Sequence, residues 1–430
     1  MITQNYRPAR AWSIATMLTV FILVNFADKI VLGLVAVPMM EDLKLSPSEF
    51  GLIGSSFFWL FAISGIVGGF LADRLSTKWM LLVMALSWSA FQLPIALSSS
   101  MGIIIFARVM LGAGEGPAWP VAIHAAYKWF PDNKRNLPVA LFSQGGAIGL
   151  LVAGMTVPLI TAKYGWRMSF YVLAAVGVAW ALVWLVVGAE GKLDVKDPAA
   201  EARAKATEAP LGRVLKDPTV YGNFLLHFVG YWGLSASLTW LPAYFQKGLG
   251  YDNIASGRLY GVVVAVSIPL VLAISIWSQR LLNKGWSSRD ARGRFASITL
   301  IVAGVLMAMM MLEGPSNAMR IGFFAVAFGL TTAIYSLGPA MLAQVTPTSR
   351  RGAVLAIDNS IASLAGVLAP AVSGKLIQSA AGAAGFELGF ALTGILMIAG
   401  GVIGFFIVNP EGSAARLLRP APAPAPAFAH

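Results

Sequence analysis

The chain of 430 residues contains no cysteine and three histidines, His124, His227 and His430. The lack of cysteine excludes disulfide bonds and thiolate metal sites. The histidines are too few and too scattered for a metal cluster, and no nucleophile stands beside a base, so we expect no metal, no cofactor and no enzymatic activity.

Charge is also scarce, since 12% of the residues are charged and 57% are hydrophobic. Apolar segments of about 20 residues are long enough to cross the hydrocarbon core of a bilayer. The sequence therefore predicts an all-α membrane protein with twelve transmembrane helices, at residues 12–39, 50–72, 79–98, 101–127, 137–161, 167–189, 219–246, 255–280, 293–312, 318–343, 352–379 and 385–408.

The positive charges lie mainly on one side of these segments. Of 31 Lys and Arg residues, 22 lie before segment 1, after segment 12 or in a loop that follows an even-numbered segment. Six lie in loops that follow an odd-numbered segment. This bias predicts that both termini are cytoplasmic in a bacterial-type inner membrane. It explains the basic pI without nucleic acid as a partner. The first segment is too long for a signal peptide and is expected to remain as an anchor.

One long polar stretch divides the chain. The predicted organisation is an N-terminal six-helix bundle (1–189), a cytoplasmic linker loop (190–218), a C-terminal six-helix bundle (219–409) and a disordered Pro/Ala-rich tail (410–430). We expect a monomer.

The two halves resemble each other in sequence. At an offset of 216 residues, a Pro followed by two basic residues occurs twice, as Pro131, Lys134, Arg135 and as Pro347, Arg350, Arg351. Parallel six-helix repeats are typical of transporters whose substrate site lies near the bilayer midplane, between the halves.

Charged residues occur inside the apolar segments. Asp28 and Lys29 lie in segment 1, and Arg108 and Glu115 lie seven residues apart in segment 4, on one helix face. A charge at this depth costs at least ~3 kcal/mol, so it is rarely present without a partner or a function. These residues favour a transporter that binds a charged solute and moves protons.

The loop after segment 2 has a recognisable motif, Gly69-Phe70-Leu71-Ala72-Asp73-Arg74 followed by Lys78. It resembles the motif of the major facilitator superfamily, and the resemblance covers nearly the whole chain. The resemblance implies that Asp73 and Arg74 are gating residues that latch the two halves. Ser76 and Thr77 replace a glycine and an arginine of the motif, which implies a weaker latch.

Within that superfamily the chain is similar to the anion:cation symporter family, which includes bacterial hexonate and organic-acid proton symporters and sialic-acid carriers. The residues that carry this resemblance are Asn25, Asp28, Arg108, Gly112, Gly114, Glu115, Gly116, Pro120, Trp129, Phe130, Pro131, Trp240, Leu241, Pro242, Asn359, Gly366 and Pro370.

The resemblance and the charges together imply roles for four residues. Arg108 is expected to bind a substrate carboxylate bidentately, with Lys29 as a second positive charge. Asp28 and Glu115 match the family's proton-carrying positions. The alternative is that these acids and bases only form permanent ion pairs with one another.

Further polar residues are assigned by resemblance or left open. Gln144 and Asn359 are expected to contact substrate. Asp358 is either a further proton site or a hydrogen-bonded support for a neighbouring helix, and we favour the support. His124 and His227 are expected to be packing residues and not proton relays.

The departures from the family bear on the substrate. Where related sugar-acid carriers often place tyrosines, this chain has Phe26, Phe61 and Ser235. A site without phenolic hydroxyls discriminates poorly in favour of polyhydroxylated acids. Trp59, Trp119, Tyr231, Trp232 and Trp240 are candidates for an apolar wall or for ordinary packing.

The sequence therefore predicts a proton-coupled symporter that imports an organic carboxylate by alternating access, with an aromatic or short aliphatic acid favoured over a sugar acid. The alternatives are a hexonate symporter, an antiporter or exporter of the same fold, and a membrane sensor that binds without transport. The expected partners are the carboxylate, protons and the lipid bilayer.

Overall fold

The computed structural model describes residues 6–72, 74–131, 134–191, 193, 208–380 and 382–418. Within these ranges the chain is helical and contains no strand. Twelve long helices follow one another: α1 Pro8–Leu34, α2 Pro47–Ala72, α3 Thr77–Leu97, α4 Met101–Tyr127, α5 Asn136–Tyr164, α6 Trp166–Val187, α7 Pro218–Ala243, α8 Asn253–Asn283, α9 Arg289–Met311, α10 Asn317–Val345, α11 Arg351–Ser379 and α12 Ala383–Ile407.

Eleven of these helices are long and apolar enough to cross a membrane. The remaining one, α7, is 26 residues long and more polar, because it carries Asn223, His227 and several hydroxyl groups. The prediction of an all-α membrane protein with twelve transmembrane helices is confirmed.

Side-chain caps begin several of the helices. Ser46 and Glu49 form a reciprocal capping box at the start of α2. Asp217, Asp252 and Ser316 accept backbone N–H groups at the starts of α7, α8 and α10. The first turn of a helix leaves N–H groups without an intrahelical partner, and these side chains supply the missing acceptors.

Two helices of the first half are interrupted near the middle of the bilayer. The helical runs of α2 are Pro47–Ser56 and Phe61–Ala72, and those of α4 are Met101–Glu115 and Ala118–Tyr127. A methyl group added at Gly116 would lie 2.2 Å from the carbonyl oxygen of Phe61. Glycine at the α4 interruption therefore lets the two helices approach closely directly beside Glu115.

The packing repeats between the halves. In the first half α1 packs on α5, α2 on α4 and α3 on α6; in the second half α7 packs on α11, α8 on α10 and α9 on α12. The halves meet where α2 packs on α11, α5 on α8 and α1 on α7. The same helix pairings recur six helices later, which agrees with the repeat seen in the sequence.

Because the number of spans is even, the start of α1 and the end of α12 lie on one side, called here the termini face, and the opposite side is the far face. Close contacts between the halves cluster toward the far face. Lys247 forms an ion pair with Glu41, and the backbone N–H of Ser48 donates to Gln378 at 3.3 Å. Deeper in the bilayer the Ser55 hydroxyl donates to the carbonyl of Val367 at 2.6 Å.

The tail differs from its prediction at its start. Disorder was predicted from residue 410, but Pro410–Leu417 forms a helix. Asp217 holds this helix by accepting hydrogen bonds from Ser413 at 2.5 Å and Arg416 at 2.9 Å. The prediction was therefore wrong for residues 410–417, since the polar face of this segment binds the start of α7. Residues 419–430 and about half of the linker, 192 and 194–207, lie outside the described ranges.

A glycine sets how closely the halves meet toward the far face. A methyl group added at Gly33 in α1 would lie 1.9 Å from the carbonyl oxygen of Leu238 in α7. We predict that Gly33→Ala separates the halves there, because overpacking costs about 1–3 kcal/mol. A single cysteine at Thr239 should then react about fivefold faster, or more, with an impermeant maleimide added at the far face.

The chain needs no prior removal of cysteines for this measurement, since it has none. Gly322→Ala is the matched control, because no atom lies within 4 Å of its added methyl group. Equal labelling rates in the two variants would contradict the prediction.

Candidate functional site

Three polar side chains lie together in α1. Asn25 and Asp28 are each 1% exposed, and Lys29 is half-buried. Spacings of three and four residues place them on neighbouring positions of the helix surface. A further helical segment, Ala36–Leu43, follows α1 after Val35, so Asp28 lies about 22 Å from its end and near the bilayer midplane.

α4 supplies the second set of charges. Arg108 is 2% exposed and Glu115 is 0% exposed. Glu115 is the last residue of the first helical run of α4, directly before the interruption at Gly116 and Pro117. Both side chains are therefore held in the protein interior and not at the lipid surface.

A chain of hydrogen bonds joins the two helices through Asn25. Its Nδ2 donates to Glu115 Oε2 at 2.8 Å, and its Oδ1 accepts from Lys29 Nζ at 2.9 Å. One neutral amide thus connects a cation of α1 to an acid of α4. A change of charge on Lys29 or Glu115 is transmitted to the other through this amide.

The four charges interact electrostatically without pairing directly. Arg108 and Lys29 act on both Asp28 and Glu115. Among the described residues, however, no carboxylate lies within ion-pair distance of either cation. The alternative of permanent ion pairs between these residues is therefore not what the structure contains.

Aromatic rings surround the two cations. Lys29 Nζ lies 4.5 Å from the ring centre of Phe26 and 5.0 Å from that of Phe61, and the Arg108 guanidinium lies 4.7 Å from that of Phe57. Such contacts contribute about 0.5–2 kcal/mol each and leave the hydrogen-bond donors of a cation free. Within the described chain, the buried Nε and Nη1 of Arg108 donate to no acceptor.

Each carboxyl group also has an unused oxygen. Oδ1 of Asp28 and Oε1 of Glu115 are buried and accept no hydrogen bond from any described residue. Gln92 of α3, which is 0% exposed, lies beside Asp28. A buried carboxylate without enough hydrogen-bond donors is costly when it is charged. Asp28 and Glu115 are therefore suited to carrying a proton during part of a transport cycle.

Tyr231 of α7 connects this cluster to the second half. It is buried, its ring centre lies 5.8 Å from that of Phe58 in the α2 interruption, and it interacts electrostatically with Glu115. Phe26, Phe61 and Tyr231 were predicted as site residues, and the structure places all three around the charged cluster.

Two predicted tryptophans lie elsewhere. Trp240 is 1% exposed, and its indole N–H donates to the carbonyl of Pro370 at 3.0 Å. It packs against Phe50, so it joins the two halves and does not line the cluster. Trp119 is exposed and packs edge-on against Phe142 of α5.

Gln144 and Asn359 have no described contact with the cluster. Gln144 is half-buried in α5, one residue before Gly145, which packs against the α1 backbone at Thr19. Asn359 is exposed, on α11. Their assignment to substrate binding stays a prediction.

The predicted gate lies only partly in the described chain. Asp73 lies outside it, and Arg74 is exposed. Beside them, Glu190 at the end of α6 accepts from the Ser76 hydroxyl at 2.7 Å and from the Lys78 backbone N–H at 3.0 Å, and it forms an ion pair with Lys128.

Glu190 thus ties the start of α3 to the ends of α4 and α6. Thr77, like Ser76 a departure from the superfamily motif, also donates to Glu190, at 3.1 Å. Partial burial by itself would raise the pKa of Glu190, but the hydrogen bonds from Lys128, Lys78 and Ser76 lower that pKa to about 2. The carboxylate is therefore held charged.

Several residues with notable contacts were not identified from the sequence. Gln92 and Phe57 were missed because neutral amides and phenylalanines are ordinary in apolar helices. Glu190 was counted as the first residue of the linker. His227 was assigned to packing, but its Nδ1 lies 2.7 Å from Asp358 Oδ2 across 131 positions of sequence.

Comparisons with known proteins bear on the family and the fold of the chain. A family model described as Major Facilitator Superfamily matches residues 17–287 and 281–429. The chain is 27% identical over 397 residues to the hexuronate transporter of Bacillus subtilis, covering 89% of each chain. It is 26% identical over 414 residues to a probable sulfoacetate transporter of Cupriavidus necator, covering 90% of this chain and 91% of the relative.

A chloroplast ascorbate transporter of Arabidopsis thaliana is 27% identical over 383 residues, covering 86% of this chain and 70% of the relative. Among solved structures, an inward-facing, unoccupied bacterial homologue of the human lysosomal transporter Spinster matches with a TM-score of 0.79 at 17% identity, covering 97% of this chain and 100% of that one. A D-xylose-proton symporter matches with a TM-score of 0.72 at 14% identity, covering 94% and 99%. The relatives are transporters, which confirms the prediction that the chain is not an enzyme.

The lowered pKa of Glu190 predicts a pH-dependent contribution to stability. A group whose pKa falls on folding stabilises the folded state above its ordinary pKa of 4.5, and this contribution is lost as the pH falls through about 2. Glu190→Gln should therefore lower the Tm at neutral pH, and the difference from wild type should shrink as the pH falls below 4.5.

The measurement is thermal unfolding of the detergent-solubilised chain at several pH values. Glu313→Gln, at an exposed position between α9 and α10, is the control and should leave the Tm unchanged. A difference between Glu190→Gln and wild type that stays constant down to the lowest pH would refute the role of the charge.

Proposed function

Because the chain belongs to the major facilitator superfamily, we propose that it is a symporter that imports an organic carboxylate anion together with protons by alternating access. One observation carries the proposal most strongly. Arg108 is buried with two nitrogens that donate to no described residue, and the same cluster contains one oxygen each of Asp28 and Glu115 that accepts from none.

The first step of the proposed cycle is anion binding. A guanidinium in the bilayer interior is stabilised by an anion that accepts two parallel hydrogen bonds, and a carboxylate has that shape. The ring of Phe57 lies 4.7 Å from the Arg108 guanidinium, and the buried Nε and Nη1 donate to no described residue, so N–H groups of this cation remain for the substrate. Lys29, held between Phe26 and Phe61, adds a second positive charge to the pocket.

The second step is proton coupling. With both acids ionised, the charges of Asp28 and Glu115 balance those of Lys29 and Arg108, and an arriving anion adds a net negative charge. Protonation of an acid offsets that charge, so the loaded cluster is again neutral and crosses the low-dielectric interior at lower cost. The hydrogen bonds of Asn25 to Lys29 and Glu115 provide a route by which anion binding favours protonation.

The positive-charge bias supports placing the termini face in the cytoplasm of a bacterial-type inner membrane. The contacts between Glu41 and Lys247 and between Ser48 and Gln378 then close the periplasmic side.

The lining of the cluster favours an aromatic or short aliphatic acid. The rings nearest the two cations are those of Phe26, Phe57 and Phe61, and none of them offers a hydroxyl group. Phenyl groups stabilise apolar substrate surface but leave the hydroxyl groups of a sugar acid without partners. The similarity to a probable sulfoacetate transporter is compatible with a short acid.

A sugar acid is the second candidate, because a hexuronate transporter is similar over 89% of the chain. Its hydroxyl groups would need partners from neutral polar side chains of the cluster such as Asn25, Gln92 and Tyr231. The two candidates differ in which acid is accumulated.

The test of the proposed function is uptake into proteoliposomes with an alkaline interior. Labelled benzoate, sulfoacetate, succinate, D-gluconate and D-glucuronate are offered separately, with and without a protonophore. We expect accumulation of benzoate or of a short aliphatic acid, and its collapse when the protonophore is added. Accumulation of D-gluconate or D-glucuronate instead would favour the sugar-acid candidate. Uptake only against an opposed proton gradient, or binding without flux, would refute import by proton symport.

The geometry of Arg108 predicts the effect of a conservative substitution. Arg108→Lys keeps the charge but loses the planar edge, so uptake of the transported acid should fall by at least about tenfold, equivalent to one bidentate contact. Arg320→Lys is a control, because Arg320 pairs with Glu387 at the far face, away from the cluster. Wild-type uptake by Arg108→Lys would show that Arg108 does not bind the substrate through its fork.

A further inference from the structure

The second half contains a buried polar cluster of its own, built from three helices. His227 of α7 lies with its Nδ1 2.7 Å from Oδ2 of Asp358 in α11. Asn223, one turn before His227, donates to Oδ1 of the same carboxylate at 3.2 Å. The ring of Tyr335 in α10 lies 5.2 Å from the imidazole, edge-on. Sequence reasoning had assigned His227 and Asp358 separately to packing and support.

The cluster is enclosed and incompletely hydrogen-bonded. Asp358 is 2% exposed and His227 is 7% exposed. Among the residues that the structure describes, Nε2 of His227, Oδ1 of Asn223 and the hydroxyl of Tyr335 are buried without a partner. A support that served only to hold α7 against α11 would be expected to satisfy its polar atoms, because each unsatisfied one costs about 1–3 kcal/mol.

Asp358 forms no ion pair with a lysine or an arginine in the described chain. Its only possible countercharge at ion-pair distance is a protonated His227. With one proton shared between them, the pair is neutral overall, whichever residue holds that proton. Without it, the pair carries a net negative charge, which is costly at this depth.

Few other titratable groups face the His227–Asp358 pair. The titratable groups facing it are Tyr231 of α7 and Tyr335 of α10. Charged groups on the other helices packed around the pair have partners of their own or lie farther away. In the first half, Asp28 and Lys29 of α1 belong to the charged cluster, and Glu49 caps α2.

In the second half, Arg294 of α9 pairs with Asp290, and Glu387 of α12 pairs with Arg320. Arg280 of α8 lies beside Trp277, and Arg351 begins α11 two turns before Asp358.

The position of the pair places it between the charged cluster and the termini face. His227 lies about 14 Å from the start of α7 and Asp358 about 11 Å from the start of α11, whereas Glu115 lies about 18 Å from the termini-face end of α4. Tyr231 bridges the two sites, since its ring centre lies 6.3 Å from that of His227 and it interacts with Glu115.

We propose that His227 and Asp358 form a second proton-binding site, in the C-terminal half, which adds one proton to those carried with each anion. The inference rests on the proposed symport function. Asp28 and Glu115 respond to the anion in the first half, and the His227–Asp358 pair binds and releases its proton as the second half changes its exposure to water.

The first test counts protons without any substrate. The purified full-length chain in lipid nanodiscs is acidified from about pH 8.5 to about pH 5.5, the range in which histidine pairs titrate, and bound protons are counted. His227→Gln should take up one proton fewer per chain than wild type, and so should Asp358→Asn. Gln279→Ala, at an exposed position of α8 outside this cluster, removes no titratable group, so it should keep the wild-type count. An unchanged count in His227→Gln would overturn the proposal.

The second test measures coupling in proteoliposomes, with whichever acid of the benzoate, sulfoacetate, succinate, D-gluconate and D-glucuronate panel is accumulated. At a gradient of one pH unit, losing one coupled proton lowers the accumulation ratio about tenfold. We expect this loss in His227→Gln and Asp358→Asn, with exchange of labelled for unlabelled acid retained. Wild-type accumulation in both variants would refute the second site. If wild-type liposomes accumulate none of the acids, the symport proposal fails, and the proton count still decides whether the pair binds a proton.

Discussion

The electrostatic interaction of the buried Arg108 guanidinium with Asp28 and Glu115 is the constraint on which the rest of the site depends. Its charge is covered by Phe57 and surrounded by electrostatic partners, yet Nε and Nη1 donate to no described residue. Asp28 and Glu115 stabilise this cation electrostatically, although neither carboxylate lies within ion-pair distance of it. That spacing leaves its hydrogen-bonding edge available to an anion and leaves the acids able to accept protons.

The fold separates this cluster from the far face. The interruptions of α2 and α4 bring Phe57, Phe61 and Glu115 together at mid-bilayer depth. Toward the far face the halves meet through glycine contacts such as Gly33 against Leu238, while Trp240 joins α7 to α11. Two similar halves that meet along α1–α7, α2–α11 and α5–α8 can rock about the cluster, and each half then carries titratable groups of its own.

Much of this was readable from the sequence. Charges inside apolar runs identified Asp28, Lys29, Arg108 and Glu115, because a charge in the bilayer is too costly to be incidental. The sequence could not predict that Asn25 joins Lys29 to Glu115 by hydrogen bonds, since that depends on how α1 packs against α4. Nor could it predict the pairing of His227 with Asp358, which lie 131 residues apart, or the capping of α3 by Glu190. Trp240 was misleading because an indole serves equally well as a pocket wall or as a donor that joins two helices.

The central claim is that Asp28 and Glu115 couple proton movement to the anion and are not merely counterions for Lys29 and Arg108. The most direct test compares Asp28→Asn and Glu115→Gln with wild type in proteoliposomes, for one transported acid, in two modes. The account predicts that both variants retain exchange of labelled for unlabelled acid and lose accumulation driven by a pH gradient. Full gradient-driven accumulation in both variants would contradict it and would leave the two acids with a purely structural role.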